Sequence, residues 1–227
     1  MKIIQKMSSD FGNEKRVSIK TTSLYDEPFE GKFIKSRVLH ETEILRPNRL
    51  VTRALFDDGS IWLMNYDGTI LRIFNVAENE YTELEFSGDL NGLADFLDDN
   101  GLSVTPLVDY IRTDFAMAVE EIGGEITMLD GYVEPDHPNM KTYHVLFEDP
   151  GTDWQLWLSE GEKTLPIRLL LEYDGFGRPE YLVTFDEWKF GDSAGDISSK
   201  IEIPNDLDNW RRVEFENPID FGAATNN

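Results

Sequence analysis

The stretch SIWLMNYDGTILRIFNV, residues 60–76, contains the clearest antiparallel hairpin signal in the chain. Two runs rich in β-branched and aromatic residues flank Tyr66–Gly68, where Asp and Gly tolerate the positive φ angles of a tight turn. The first run, IWLMNY, is apolar on both faces, whereas a strand with one face in water alternates apolar and polar residues. The stretch therefore predicts two paired strands in a sheet that is strongly curved or partly covered on its second face.

Similar strand signals continue on both sides of this hairpin. Residues 17–22 and 38–44 alternate apolar or β-branched positions with more polar ones, as half-buried strands do. The segments KTYHVLFE, DWQLWLS, LPIRLLLEY and EYLVTFDEW repeat the pattern in the second half, separated by glycine-containing turns. Together they predict an antiparallel meander of about ten strands.

Helical spacing interrupts the strands between about residues 89 and 122, and a further short helix is predicted over residues 1–11. Within the insert, Asp89 is a suitable N-cap for a first helix and Gly101 a suitable C-terminal residue. A second helix is predicted to open at Thr105-Pro106, and a third at Thr113-Asp114 with a stop at Gly123-Gly124.

These elements predict an α+β fold in one domain, residues 1–217, with residues 218–227 as a disordered tail. The sheet is expected to bend strongly into an unclosed half-barrel, with the helices packed on its concave face. PNDLDNW, residues 204–210, is expected to form a turn before the last strand. A bent sheet of this kind can enclose a cavity where the helices do not pack down fully.

Composition excludes several classes of function. The 227 residues include 21 Lys and Arg against 44 Asp and Glu, a formal net charge of −23 with a pI near 4.3. Nucleic acids and anionic membranes are therefore poor partners, because affinity for both depends on basic side chains. The absence of cysteine excludes disulfides, thiolate catalysis and Cys-ligated metals. We expect the acidity to be a surface adaptation that takes no part in ligand recognition.

The chain contains no apolar run long enough for a membrane-spanning helix, which needs about 18 residues. No positively charged and then apolar leader opens it either. From these signals alone we expect a cytosolic protein, or a mature form whose leader was replaced by Met1.

Two separated blocks resemble a bacterial family of predicted periplasmic proteins of unknown function, domain of unknown function 2092. The first, ILRPNRLVTRALFDDGSIWLMNYDGTILRIFNVAENEYTEL, has an Arg-Pro-x-Arg-Leu element before a Tyr-Asp-Gly hairpin. The second, DWQLWLSEGEKTLPIRLLLEYDGFGRPEYLVTFDEW, has the Trp-x-x-Trp, Leu-Pro-x-Arg and Pro-x-Tyr strands. The likeness covers roughly residues 3–190, and the segment from Gly191 departs from it.

The resemblance extends to the superfamily of the lipoprotein-localisation factor LolA. It implies an unclosed barrel with helices on the concave side, an apolar cavity between them, a periplasmic location and no enzymatic activity. The implied ligand is apolar or acylated, a lipid or a lipoprotein. The family has no established ligand contacts, so none is transferred to this chain.

An apolar cavity would be lined by large apolar residues at strand and helix spacing. Such a slot binds an acyl chain by burial alone, at about 0.8 kcal/mol for each CH₂ group. The alternative is that these residues are simply the protein core. The candidates are Trp62, Met64, Leu71, Phe96, Leu97, Tyr110, Phe115, Val119, Trp157, Leu169 and Leu171.

The three histidines, His40, His137 and His144, lack the spacing of a metal site and are expected at surface or half-buried positions. No metal and no cofactor is predicted. The acidic pairs Asp57-Asp58 and Asp98-Asp99 suit solvated turns and helix ends. The basic residues Arg46, Arg49 and Arg53 are interpreted as structural partners of carboxylates rather than as a ligand site.

The sequence thus predicts a periplasmic binding or carrier protein for an apolar or acylated ligand. The competing hypothesis is an interaction module of the cell envelope, with a filled concavity and another envelope protein as its partner. An unrecognised hydrolase is a third hypothesis, which the absence of a nucleophile and base pattern disfavours.

Overall fold

The computed structural model describes residues 1–100, 112–122, 125–133, 140–149, 151–175, 177–195 and 201–214. Several predictions lie outside these residues. They are the end of the first insert helix at Gly101, the helix at Thr105-Pro106, the Gly123-Gly124 stop and the tail 218–227.

Twelve strands and three α-helices form the described part of the chain, with one short 3₁₀ helix at Gly191–Ala194. The helices are α1 (Lys2–Gly12), α2 (Leu90–Asp99) and α3 (Phe115–Ile122). The first six strands are β1 (Arg16–Phe29), β2 (Lys32–Leu45), β3 (Arg49–Phe56), β4 (Ile61–Tyr66), β5 (Ile70–Asn75) and β6 (Glu80–Glu85). The others are β7 (Glu125–Val133), β8 (Lys141–Asp149), β9 (Thr152–Ser159), β10 (Pro166–Tyr173), β11 (Glu180–Phe190) and β12 (Arg211–Arg212).

All twelve strands belong to one curved sheet in the order β12-β6-β5-β4-β3-β2-β1-β11-β10-β9-β8-β7. Every neighbouring pair is antiparallel except β12 and β6, which are parallel. The long strand β1 lies at the centre, because it pairs with β2 on one side and with β11 on the other. The outer strands β12 and β7 do not pair with each other, so the sheet is unclosed, as predicted.

The Tyr66–Gly68 hairpin is confirmed. The Asp67 Oδ1 atom accepts hydrogen bonds from the backbone N–H groups of Thr69 and Ile70, both at 2.9 Å, which holds the turn. Gly68 has a φ of +102°, and an added Cβ would collide with the side chain of Asn48. Glycine is therefore required here both by conformation and by space.

All three helices pack on the same face of the sheet, which we call the helix face. Their buried side chains join those of alternate strand residues in one large apolar cluster. Because side chains alternate along a strand, the intervening residues lie on the other face, called the outer face. The helix contribution to the cluster consists of Ile4, Met7, Phe11, Leu90, Leu93, Ala94, Leu97, Phe115, Ala116 and Val119.

A second, smaller apolar cluster covers part of the outer face. Val51, Leu63 and Phe74 from β3–β5 pack against Ile201, and Trp210 meets the Phe74 ring edge-on at 5.1 Å. The segment 201–210 thus covers the outer face of these strands, which explains why both faces of IWLMNY are apolar. The predicted turn at its end is confirmed by the hydrogen bond from Trp210 N–H to the Leu207 carbonyl oxygen at 2.9 Å.

Polar contacts connect helices α1 and α2 to loops at the ends of the strands. Asp89 caps α2, since its carboxylate accepts from Gly92 N–H at 3.0 Å, and the Leu90 N–H donates to the Pro47 carbonyl oxygen at 2.9 Å. At the end of α1, the Asp10 carboxylate accepts from the Thr164 N–H at 2.7 Å. Both helices are therefore anchored to loops that connect strands.

Candidate ligand-binding interior

Most of the predicted lining residues meet in one place. They belong to the large apolar cluster between the helices and the helix face, and each is at most 7% exposed. The residues brought together are Met64, Leu71, Leu97, Phe115, Val119, Leu169 and Leu171.

Two further candidates lie at the border of this cluster. Trp62 is partly buried and packs against it. Phe96 on α2 is also partly buried, and its ring lies 4.9 Å from that of Phe86, which itself packs against the cluster. The remaining candidate on the insert, Tyr110, lies outside the described residues.

The structure places Trp157 on the outer face, so its assignment to the interior is corrected. It pairs in register with His144 on β8 and with Arg168 on β10, whereas its neighbours Leu156 and Leu158 belong to the helix-face cluster. Its ring stacks on the His144 ring at 4.3 Å, and the Arg168 guanidinium lies 5.9 Å from the ring centroid. The alternation of side chains along β9 makes a helix-face position impossible for Trp157.

Partly buried aromatic residues pack against the apolar cluster, and we call them the aromatic rim. Trp and Tyr combine an apolar body with a polar edge, so they suit a boundary between an apolar interior and water. One of them, Trp154, has a buried indole Nε1 atom that finds no hydrogen-bond partner in the described part of the chain. The rim consists of Phe56, Trp62, Phe86, Tyr143, Trp154, Tyr173, Trp188 and Phe190.

Polar residues interrupt the apolar helix face on its central strands. Strand pairing sets Thr21 of β1 opposite His40 of β2, and Thr42 of β2 opposite Thr52 of β3. Together with Ser23 they form what we call the buried polar patch, in which each residue is at most 8% exposed. The patch lies at the centre of the sheet.

Part of the patch is internally satisfied. The hydroxyl groups of Thr42 and Thr52 are 3.1 Å apart and hydrogen-bond each other. Burial raises the pKa of Tyr181, and a hydrogen bond between its hydroxyl and Ser23 acts in the opposite direction. The Tyr181 ring stacks on Tyr25 at 5.9 Å.

Thr21 and His40 differ from these residues. Among the described residues, neither the Nε2 atom of His40 nor the Oγ1 atom of Thr21 has a hydrogen-bond partner, and each of the two residues is 2% exposed. A buried polar group without a partner costs about 1–3 kcal/mol, and more than about nine in ten such groups are bonded in native proteins. Two unpartnered atoms facing each other across one strand pair are therefore unusual.

Burial also sets the charge of His40, because it lowers the pKa of this imidazole to about 4. The ring is thus neutral near pH 7 and offers one donor and one acceptor. The expectation of a surface or half-buried position is wrong for His40. The alternation of Val38, His40, Thr42 and Ile44 is the signal that could have shown it, since His40 is in phase with apolar residues that face the core.

The second described histidine, His144, lies on the outer face. His144 is 8% exposed, and its Nε2 lies 3.1 Å from the Gln155 Oε1 atom on the outer face. Burial lowers the pKa of His144, and the bond to Gln155 acts in the opposite direction. His137 lies outside the described residues. Within the described ranges, no group of three or more His, Asp or Glu side chains is placed to hold a metal ion.

Of the three arginines near the hairpin, Arg53 makes the carboxylate contact that was predicted. The Arg46 guanidinium donates to the Phe11 carbonyl oxygen at 3.5 Å, at the end of α1. Arg53 pairs with Glu41 at 3.7 Å on the neighbouring strand. Arg49 is exposed. Across the described residues, no helix is both long and apolar enough to cross a membrane.

Comparison with solved structures finds chains that align with most of this one. An uncharacterized conserved protein from Thermus thermophilus aligns with a TM-score of 0.52 at 9% identity, over 93% of this chain and 96% of that chain. A LolA superfamily protein from Nitrosomonas europaea aligns with a TM-score of 0.38 at 10% identity, over 84% and 93%. A chain of the Pseudomonas aeruginosa MucA/MucB complex aligns with a TM-score of 0.44 at 16% identity, over 84% and 56%. At 9% identity, the likeness to the Thermus thermophilus protein shows a shared fold and nothing more.

Comparison by sequence gives one family. A family model described as "Predicted periplasmic protein (DUF2092)" matches residues 1–209. Both sequence blocks that carry the resemblance lie within this range, so the predicted family is confirmed. No curated protein matches the chain.

Proposed function

Since the chain belongs to the DUF2092 family of predicted periplasmic proteins, we propose that it is a non-enzymatic binding or carrier protein for an apolar or acylated ligand. The ligand, a lipid or the acyl chains of a lipoprotein, lies between the helix face of the curved sheet and the helices, on its concave side. This role rests on the chemistry of the interior and not on a transferred active site.

The aromatic rim is the observation that carries the proposal. Trp62 and Trp154 lie partly exposed at the border of the cluster, where an amphipathic ring contacts both the apolar interior and water. A rim of this kind offers an acyl chain an amphipathic entrance to an apolar interior. The unpartnered Nε1 atom of Trp154 adds a hydrogen-bond donor there.

Binding through apolar contact fits the charge of the protein. Each CH₂ group removed from water contributes about 0.8 kcal/mol, so a chain of about 14 carbons binds firmly without a charged anchor. The proposed lining keeps the sequence-predicted residues that lie on the helix face or its border and leaves out Trp157. It consists of Trp62, Met64, Leu71, Phe96, Leu97, Phe115, Val119, Leu169 and Leu171.

Native mass spectrometry of protein purified without detergent, followed by organic extraction, tests the proposal. We expect extra mass on part of the protein and a lipid or acyl compound in the extract. In parallel, the neutral fluorescent probe N-phenyl-1-naphthylamine should bind saturably. A protein that carries no extra mass and does not bind the probe would contradict the carrier function.

A matched pair of tryptophan variants locates the binding face. Trp62 and Trp210 are both partly buried, but they pack against the helix-face cluster and the outer-face cluster, respectively. We expect Trp62→Gln to weaken probe binding several-fold and Trp210→Gln to leave it unchanged. The reverse order would place the probe on the outer face.

An envelope interaction module is the second candidate, and the edge strand β7 favours it. In the described part of the chain, β7 pairs with β8 only. Met128 and Leu129 on this strand are 50% and 42% exposed, and an apolar edge of this kind can accept a strand from a partner protein. A ligand-free mass together with capture of one envelope protein through this edge would support this function instead.

A further inference from the structure

The pair of unpartnered atoms at the centre of the helix face has no role in folding that the structure reveals. Thr21 and His40 are direct cross-strand partners, so their Cβ atoms are about 5 Å apart and their side chains point to the same face. One small group placed above them could therefore bond to the Thr21 Oγ1 and the His40 Nε2 atoms at once. No described side chain occupies that position as a hydrogen-bond partner.

We infer that Thr21 and His40 form the polar end of the binding interior and hydrogen-bond the uncharged carbonyl group of an acyl ester. The inference rests on the proposed function and names the chemistry of its ligand. The carbonyl oxygen has two lone pairs, and it accepts one hydrogen bond from the threonine hydroxyl and one from the imidazole N–H. The hydrocarbon chain of the same molecule then occupies the apolar part of the interior.

The surroundings of the pair select against a charged head group. In register, Thr21 is flanked by Phe185 on β11, and His40 by Ala54 on β3. The helix-face neighbours of His40 along β2 are Val38 and Thr42. None of these side chains carries a positive charge, and a buried imidazole that stays neutral supplies none either. A carboxylate would therefore be buried without a counter-charge, which is strongly unfavourable.

The pair is also connected to the aromatic rim. Cross-strand pairing continues from His40 to Ala54 and from Ala54 to Trp62 on β4. Three strand spacings separate Thr21 from Trp62, a distance of about 14 Å. A ligand that enters at Trp62 thus reaches the polar pair along a single cross-strand row of the helix face.

Displacement of N-phenyl-1-naphthylamine by three competitors of equal chain length tests the inference. Methyl myristate presents an ester, myristate a carboxylate, and tetradecane no head group. At neutral pH we expect the ester to bind about five- to tenfold more tightly than the alkane, the value of one or two hydrogen bonds, and more tightly than the carboxylate.

The decisive variant is Thr21→Val, which replaces the hydroxyl by a methyl group of similar shape. We expect the ester to lose most of its advantage over the alkane, while the resistance of the fold to urea stays the same or improves, because a methyl group needs no hydrogen-bond partner. His40→Leu should have the same effect on the ester. Thr42→Val is the matched control, because the Thr42 hydroxyl is already bonded to Thr52, and it should leave the ratio unchanged.

The outcomes separate this inference from the proposed function. If the wild-type protein binds none of the four compounds, the proposed function fails and the inference fails with it. If it binds them but Thr21→Val leaves the ester-to-alkane ratio unchanged, the inference alone is overturned. Tighter binding of myristate than of its ester would overturn it as well, because the pair would then recognise a charge.

Discussion

At the scale of single residues, the buried imidazole of His40 makes the stability of the fold depend on pH. Burial lowers its pKa to about 4, from an ordinary value of 6.5. Below about pH 6.5 the unfolded chain takes up a proton at this histidine that the folded chain does not. The stabilising contribution of the neutral ring is therefore complete above pH 6.5 and is lost as the pH falls towards 4.

Urea unfolding at two pH values measures this contribution. Between about pH 7.5 and 4.5 we expect the wild-type protein to lose about 2–3 kcal/mol more stability than His40→Gln, whose side chain does not titrate. Carboxylates titrate in both proteins and cancel in the comparison. Parallel pH profiles for the two proteins would show that His40 is not held neutral in the folded state.

Tyr66 links the central hairpin to the start of α2. Its hydroxyl donates to the Gly88 carbonyl oxygen at 2.8 Å and accepts from the Gly88 N–H at 3.0 Å. We expect Tyr66→Phe to lower the free energy of unfolding by about 1–2 kcal/mol, because both bonds are lost while the ring remains buried. Tyr81→Phe is the control, and an equal loss there would argue that the effect is not specific to the Gly88 bonds.

At the scale of elements, the N-cap of α2 is the clearest test of local structure. Asp89 accepts from Gly92 N–H and carries a negative charge at the positive end of the helix. We expect Asp89→Ala to destabilise the protein by about 1 kcal/mol. Asp99→Ala, at the last residue of the same helix, removes an equal charge from the unfavourable end and should be neutral or slightly stabilising. Equal effects of the two variants would contradict the capping role.

Local signals predicted these elements well because their causes are local. The Asp67 and Gly68 turn and the Asp89 cap depend on side chains within a few residues of the backbone that they hold. The face taken by Trp157 could not be predicted in this way. Its strand is apolar on both sides, and its face depends on pairing with β8 and β10, including a register shift between Pro166 and Arg168.

The buried polar patch is a second feature that local sequence signals could not predict in full. The β2 alternation places His40 on a buried face, but only the pairing of β1 with β2 sets Thr21 beside it. That neither atom has a hydrogen-bond partner is a property of the packed structure. The apolar lining was largely predictable from hydrophobic spacing, whereas a polar site assembled from distant strands was not.

At the scale of the whole molecule, the protein combines a net charge of −23 with an apolar interior. Many carboxylates pair at the surface, such as Glu41 with Lys20 at 2.7 Å, or lie in turns. Because acidic side chains outnumber basic ones, the excess negative charge is not neutralised, and its mutual repulsion opposes the folded state at low ionic strength.

The family and the unclosed sheet were predicted from the sequence. The covering of the outer face by residues 201–210 was not predicted, because it depends on contacts between residues far apart in the chain.

Changing the salt concentration distinguishes the effect of the surface charge on stability from the apolar contacts that bind the ligand. Raising sodium chloride from about 20 to 300 mM shortens the screening length from about 20 to 6 Å. We expect the melting temperature to rise, while the Kd for N-phenyl-1-naphthylamine changes less than about twofold. A Kd that follows the salt concentration would mean that the acidic surface takes part in recognition.

The proposed carrier function requires an acylated ligand to lie between the helix face and the helices. Photo-crosslinking with a myristoyl ester that carries a diazirine in its chain, followed by peptide mapping, measures this directly. We expect labels on interior residues such as Met64, Leu169 or Val119, and competition by unlabelled methyl myristate. Labels confined to outer-face residues such as Leu170 or Trp157, or labelling without competition, would contradict it.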